Sequence, residues 1–408
     1  MLATACGNAR VFVWDYPSGR ATTLEGHGNT VTHVAFNHAG NLLASYGWDG
    51  ATRLWDPVSG KLHVRVAGEF LAYSTFSRDD TRLPFKVSTS EIGQWEVASA
   101  NECRTFGRGS PSSFSSTGRW LATTEPAGVR LWDAITGRAA AFAPSPVAVS
   151  AHFVDADASV LISAQGHLMR WPLESAPDNS SITKFGPATK LFPQEIPVIG
   201  PASFTANGRW IAIESQATRV PLLIDREQSS HRVFEGIHPG QNLFLAISPN
   251  KRWIASGTWK GTGVKVWDTQ TDRAVVDLPV ESNTNVAFSP DEKWLVTGNP
   301  DEYRFWEVGS WQPRHAVPRD HAGDIWGRMT FAHDSRTLAV SILRDGGLQL
   351  LNPNTGRTLT KLDAPSQQTP GCFSPDGQQL AVTAEGGVLQ VWNLKLVREQ
   401  LAAMKLDW

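Results

Sequence analysis

The chain has 408 residues, 41% of them hydrophobic, which is enough for one large all-β domain or two smaller ones. Its 37 basic and 39 acidic residues leave a net charge of -2, which excludes a global electrostatic pull toward nucleic acid or anionic lipid. Cys6, Cys103 and Cys372 show no metal or redox spacing, no apolar run reaches the roughly 20 residues that span a bilayer, and the first residues lack a signal-peptide pattern. These absences predict a reducing, cytoplasmic setting with no membrane insertion.

In chain order, an apolar segment first ends in Trp14-Asp15. Gly26-His27 follows, then an aromatic and a polar turn at Phe36-Asn37-His38-Ala39-Gly40, the apolar run Leu42–Ser45, a hairpin turn at Asp49-Gly50, and a second Trp55-Asp56. This series then repeats. The aromatic-plus-turn landmark returns at Phe76, Phe114, Phe153, Phe204, Ile247, Phe288, Phe331 and Phe373. The strand-ending landmark returns at Trp95, Trp132, Trp171, Ile224, Trp267, Trp306, Leu351 and Trp392, each 37 to 53 residues after the last. Runs such as Val129-Arg130-Leu131-Trp132 alternate apolar and polar residues, as half-buried strands do. Gly at the turns between them supplies the positive φ that tight hairpins require. Each unit of about forty residues therefore reads as a four-stranded antiparallel meander.

The Gly-His opening, the Trp-Asp close and the forty-residue period together resemble the WD-repeat family, over almost the whole chain. The resemblance implies an all-β WD-repeat β-propeller. It also implies a buried network of His27, Ser45, Asp49 and Trp55 in the best copy, in which Asp fixes the His tautomer and His and Ser hold the indole N–H. The unit ending at Leu351 keeps His321, Ser341 and Asp345 without the Trp, and other units lack the His or Asp.

Eight complete units stand between two incomplete ones, whereas propellers usually close with about 4 to 8 blades. The preferred division makes residues 1–100 the tail of a truncated preceding propeller, of about three incomplete blades. Residues 101–394 then form a seven-bladed ring whose outer closing strand is Glu102–Phe106, and residues 395–408 form a C-terminal amphipathic helix. An eight-bladed ring beginning near Gly68 is the rival. In the helix, Val397, Leu401, Met404 and Trp408 fall on one face. The same ending resembles the stretch that follows the propeller in large bacterial proteins with an N-terminal serine/threonine kinase domain.

Catalytic patterns are missing: no His-Arg-Asp loop, Asp-Phe-Gly, Gly-x-Ser-x-Gly elbow or His-Glu-x-x-His occurs. Gly261-Thr262-Gly263 precedes a strand and reads as a hairpin turn. The histidines lack metal-ligand spacing, and the paired acids Asp79-Asp80 and Asp155-x-Asp157 read as solvated turns. Trp48, Trp259 and Trp326 lie away from the strand-ending position. With Asp324 they are candidates for partner binding, because loop Trp is enriched at interaction hot spots. The expectation is a non-catalytic scaffold for a protein or peptide partner, with no cofactor and no nucleic-acid partner. The alternative is the regulatory region of a bacterial serine/threonine kinase whose catalytic domain is not in this chain.

Overall fold

The computed structural model describes all residues except 17, 71–74, 79, 87–91, 98–101, 165–166, 176–181, 192–197, 216–217, 219, 237–240, 260, 320–325, 343–346, 365–366 and 404–408. Among the described residues the sequence forms ten small antiparallel sheets, numbered here as blades one to ten in chain order, and a terminal helix Leu394–Ala403. The chain divides into two compact units, Met1–Asn101 and Glu102–Trp408.

The first unit holds blades one to three. Blade two has four strands: Val31–Phe36, Leu43–Gly47, Ala51–Trp55 and Leu62–Ala67. Blade one has three, Leu2–Ala5, Arg10–Trp14 and Ala21–Glu25. Blade three also has three, Glu69–Phe70, Arg82–Lys86 and Ile92–Glu96. Among the described residues Ile92–Glu96 carries no outer strand, although it occupies the third-strand place. Val11, Val13 and Leu24 of blade one pack on Val31, Leu43 and Trp55 of blade two. Ala44 of blade two packs with Phe76 and Leu83, toward blade three.

The second unit holds blades four to ten. Their first strands are Ser110–Phe114, Ala148–Val154, Val198–Phe204, Gln241–Ile247, Asn285–Phe288, Met329–Phe331 and Gln368–Phe373. Each packs against the next, and the last packs against the first. Serine hydroxyls tie several of these strands together: Ser113 Oγ donates to the Ala151 carbonyl at 2.9 Å, and Ser203 Oγ accepts from the Ile247 amide at 3.1 Å. Blade five has a fifth strand, because its long third strand His167–Ser175 pairs with both Ile182–Phe185 and Thr189–Lys190. Blade ten takes its outer strand, Cys103–Arg108, from the start of the unit, with Cys103 opposite Trp392 and Arg108 opposite Val388.

Burial follows the pleat. Second and third strands carry the branched and aromatic residues, and apolar clusters fill the gaps between successive blades. One cluster joins Phe114, Leu121 and Trp132 of blade four to Ala381, Leu389 and Val391 of blade ten. Outer strands are mostly exposed, as in Pro313–Pro318. In such a meander the turn between second and third strands and the link from a fourth strand to the next first strand fall at one end of the blade, here called the upper end.

At the lower end, acids in left-handed turns reach the preceding blade. The Asp80 carboxylate accepts from the His38 and Ala39 amides at 2.7 and 2.8 Å. Asp157 accepts from the Ser116 amide and hydroxyl, and Glu292 from the Asn250 amide and side chain. The acids expected to be merely solvated are thus connectors between blades. Asp155 pairs with Arg170 and Arg226, and Asp79 lies outside the described residues.

The helix begins after Asn393, whose side-chain oxygen accepts from the Leu396 amide at 3.1 Å, as an N-cap does. Leu394 is buried and Val397 half-buried against the core of blades nine and ten. Met404 and Trp408, expected on the same face, lie outside the described residues.

Candidate functional site

In blade two the strand register places Trp55 opposite Leu43, with Ser45 two residues further along the second strand. The Trp55 indole N–H donates to Ser45 Oγ at 2.7 Å, and Ser45 Oγ lies 2.8 Å from His27 Nε2. His27 Nδ1 lies 3.1 Å from Asp49 Oδ1, and Asp49 Oδ2 accepts from the Gly28 amide at 2.9 Å. With the ring proton on Nδ1, Trp55 donates to Ser45, Ser45 to His27 Nε2, and His27 Nδ1 to Asp49. Burial lowers the His27 pKa, outweighing Asp49, so the ring stays neutral near pH 7. Burial also pushes Asp49 upward, but the Gly28 amide, His27 and Arg53 together hold it well below the usual carboxylate range.

Arg53 was not foreseen. It is buried in the third strand, and its guanidinium lies 2.8 Å from Asp49 Oδ2 and 2.7 Å from the Gly26 carbonyl. Its Nη1 is also 2.7 Å from His27 Nδ1, so the neutral ring and the guanidinium compete for Asp49. The only sequence signal is a basic residue two positions before the strand-ending Trp, on the Trp face. Asp49→Ala would leave both His27 and a buried Arg53 without their acceptor. We expect it to destabilise the first unit by roughly 3 kcal/mol, with partial recovery in Asp49→Ala/Arg53→Met. Chemical denaturation checks this, and an unchanged midpoint for the single variant would exclude the network as a stabilising element.

Other blades satisfy their tryptophans differently. Trp132 and Trp306 donate to Thr123 and Thr297 at 2.9 and 3.0 Å, both at the Ser45 place. Trp392 donates to Gln368 Oε1 at 3.0 Å, because Val382 stands at that place. Trp267 donates to the Glu235 carbonyl at 2.8 Å. Trp171 faces Ile162 there, and its buried indole N–H has no partner among the described residues. In blade nine the register puts Val340 at the Ser45 place, so the expected equivalence of Ser341 does not hold. Leu338, not Ser341's neighbour, sits opposite Leu351, and Ser341 Oγ instead meets the Tyr303 hydroxyl at 3.2 Å. His321 and Asp345 lie outside the described residues.

These networks are structural, and the upper end carries what chemistry is left. Register makes Trp48 and Trp259 equivalent, each five residues past the second-strand residue opposite the closing Trp. Trp48, in the first unit, is 69% exposed. Trp259 and Trp326 come together in the second unit: their rings meet edge to face at 4.7 Å, and Phe244 lies 5.1 Å from Trp326. Trp326 and Trp259 are half-buried. Trp326 directly precedes the Gly327-Arg328 approach to blade nine, so it reaches back past blade eight to blade seven. Asp324 lies outside the described residues. Sequence reasoning missed Phe244, an inner-strand aromatic with the spacing of a core residue.

Among the described residues no group of three His, Cys, Asp or Glu could hold a metal ion, and no helix is long and apolar enough to cross a membrane. Burial pushes the thiols of Cys103 and Cys372 up to about 12, far from nucleophilic.

Residues 19–56, which contain His27, Ser45, Asp49 and Trp55, match the family model "WD domain, G-beta repeat". Most sheets of the chain have the four-stranded antiparallel form of β-propeller blades. Similar curated proteins include "Ribosome assembly protein 4" of Chaetomium thermophilum, 39% identical over 64 residues, which cover 15% of this chain and 12% of that protein. "Periodic tryptophan protein 2 homolog" of Mus musculus is 32% identical over 102 residues, covering 24% and 11%. "Telomerase protein component 1" of Rattus norvegicus is 21% identical over 423 aligned residues, covering 96% and 15%. The chain covers 11 to 15% of the length of these three relatives, all of them eukaryotic.

Proposed function

We propose that this chain is a non-catalytic WD-repeat scaffold that binds a protein or peptide partner at the upper end of its second unit. The observation that carries the reading is the cluster of Trp259, Trp326 and Phe244, three rings from two separate blades gathered in one half-buried place. Aromatic anchors of this kind supply most of the energy of an interface. Trp48 supplies a second, more exposed anchor in the first unit.

The scaffold is read as a closed seven-bladed ring over residues 101–394, followed by the helix, with residues 1–100 as part of a further propeller. Two features support the ring: Cys103–Arg108 pairs with the third strand of blade ten, and blades four and ten share an apolar cluster. The outer edge of Ile92–Glu96, which pairs with no strand among the described residues, supports the partial propeller. A cytoplasmic location accords with the three free thiols.

The test is selection of peptides from a random display library on the purified chain. Trp326→Ala is expected to weaken the selected peptides by roughly thirtyfold, the effect of a hot-spot residue, while circular dichroism stays unchanged. Peptides that bind Trp326→Ala and Trp259→Ala as tightly as the parent place the interaction elsewhere. A second reading, the regulatory region of a bacterial serine/threonine kinase, rests on the sequence Leu394–Trp408 alone. Coding DNA upstream of Met1 tests it, since an in-frame stop there removes it.

A further inference from the structure

Several arginines with partly enclosed side chains in this protein are paired with acids. Arg53 meets Asp49, Arg130 meets Glu125, Arg209 meets Asp225, Arg252 meets Asp268, and Arg170 and Arg226 meet Asp155. Arg328 differs. It directly precedes the first strand of blade nine, at the upper end, and its guanidinium lies 5.7 Å from the Trp326 ring. No acid among the described residues forms an ion pair with it. Its side chain is open to solvent, yet the surrounding protein lowers its pKa and no acid raises it. A guanidinium held in this way, reached by water but poorly hydrated, is a site for an anion.

The backbone that presents it is fixed. The Arg328 carbonyl accepts from the Tyr303 hydroxyl at 3.1 Å and from the Ser341 amide at 3.3 Å. The Gly327 amide donates to the Gly298 carbonyl at 3.0 Å. A Cβ on Gly327 would stand 2.5 Å from the Tyr303 ring, so the segment sits flush against blade eight. Beside Arg328, the Trp326 indole N–H is buried with no acceptor among the described residues. A charged donor on a fixed backbone therefore adjoins an apolar box of three rings.

We propose that this place binds an acidic peptide, with a side-chain carboxylate on Arg328 and a neighbouring apolar or aromatic residue against Trp259, Trp326 and Phe244. The proposal deepens the reading of the upper end as the interaction face and rests on it. The carboxylate supplies the planar two-oxygen acceptor that a guanidinium matches, and the rings exclude water from the pair.

The probe is an array of random octapeptides, acetylated and amidated so that no terminal carboxylate is present, with a parallel set carrying phosphoserine. Bound peptides should be enriched in Asp or Glu next to an apolar residue. Changing that acid to its amide should weaken binding about tenfold, as expected for a charge-assisted hydrogen bond. Arg328→Gln should bind acid and amide forms alike, and Arg328→Lys should keep part of the preference. If Trp326→Ala abolishes binding but no acid is enriched, the interaction face stands and the anionic preference is overturned. If an Arg328-dependent acid preference survives Trp326→Ala, the anion site stands and the aromatic face is overturned. Preference for phosphoserine over both acids overturns the carboxylate as the occupant, and an array that binds nothing overturns both readings.

Discussion

Deleting Cys103–Arg108 is expected to abolish cooperative folding of the second unit. This strand is the outer strand of blade ten, yet it lies before blade four in the sequence, so it holds the two ends of the unit together. Phe106 packs on Trp132 at 6.2 Å, and the Arg104 guanidinium donates to the carbonyls of Ala134 and Ile135 at 2.7 Å. Gly107 lies under the Trp132 ring so closely that a Cβ would stand 2.4 Å from it. Loss of the Phe106 contact alone removes roughly 1–3 kcal/mol, less than for a core aromatic because Phe106 is only half-buried. Loss of the strand also bares the backbone edge of Val388–Asn393 to water and to other edges. Residues 102–408 should melt in one cooperative transition, and residues 110–408 should aggregate or lose near-ultraviolet circular dichroism. Equal melting of the two fragments would show that the strand is dispensable.

Much of this architecture was legible because period and turn chemistry are local. The landmark aromatics mark the ends of first strands at Phe36, Phe114, Phe204, Ile247, Phe288, Phe331 and Phe373. The strand-ending residues Trp55, Trp95, Trp132, Ile224, Trp267 and Trp306 lie at or one residue before the ends of their strands and are each followed by Asp or Glu, whereas the strand at Trp171 runs on to Ser175. The His27, Ser45, Asp49 and Trp55 contacts were legible because each residue has a fixed offset on a paired strand.

What escaped depends on neighbours distant in sequence. Arg53 lies on the face of Trp55, but its role shows only when the fold brings His27 and Asp49 to it. Ser341 looks like the Ser of the network by composition, but one residue of register turns it from that place, and Tyr303 of the preceding blade takes its hydroxyl instead. A one-residue slip reverses the face of every side chain on a strand, so spacing counted through a loop of altered length misassigns it. Arg328 and Phe244 carry no signal of their own. They matter only because Trp326 crosses from the start of blade nine to blade seven. The acids Asp80, Asp157 and Glu292 show the same limit, since their partners lie about one repeat away.

Gly257→Ala should be the most costly single-methyl change at the upper end. Gly257 lies in the second strand of blade seven, at the place that Tyr46 fills in blade two, so the repeat pattern gives no warning. Its Cα faces the loop that leads into blade eight. A Cβ there would stand 1.9 Å from the Thr284 carbonyl oxygen and 2.9 Å from its carbon. The obstacle is backbone, and it cannot swing aside, because Thr284 is fully buried and its amide donates to the Thr258 carbonyl at 3.0 Å. Either the second strand of blade seven or the approach to blade eight must shift, at a cost of about 3 kcal/mol or more. For a unit of this size that is a fall of about 5 °C or more in Tm. Trp259 lies two residues along the same strand, so the shift should also disturb its edge-to-face contact with Trp326 and change the tryptophan fluorescence of the folded protein. Gly7→Ala, where an added Cβ meets nothing within 4 Å, is the matched control and should leave the melt unchanged. If Gly257→Ala melts with the control, the close approach of blades seven and eight is wrong, and the placement of Trp259 against Trp326 loses its support.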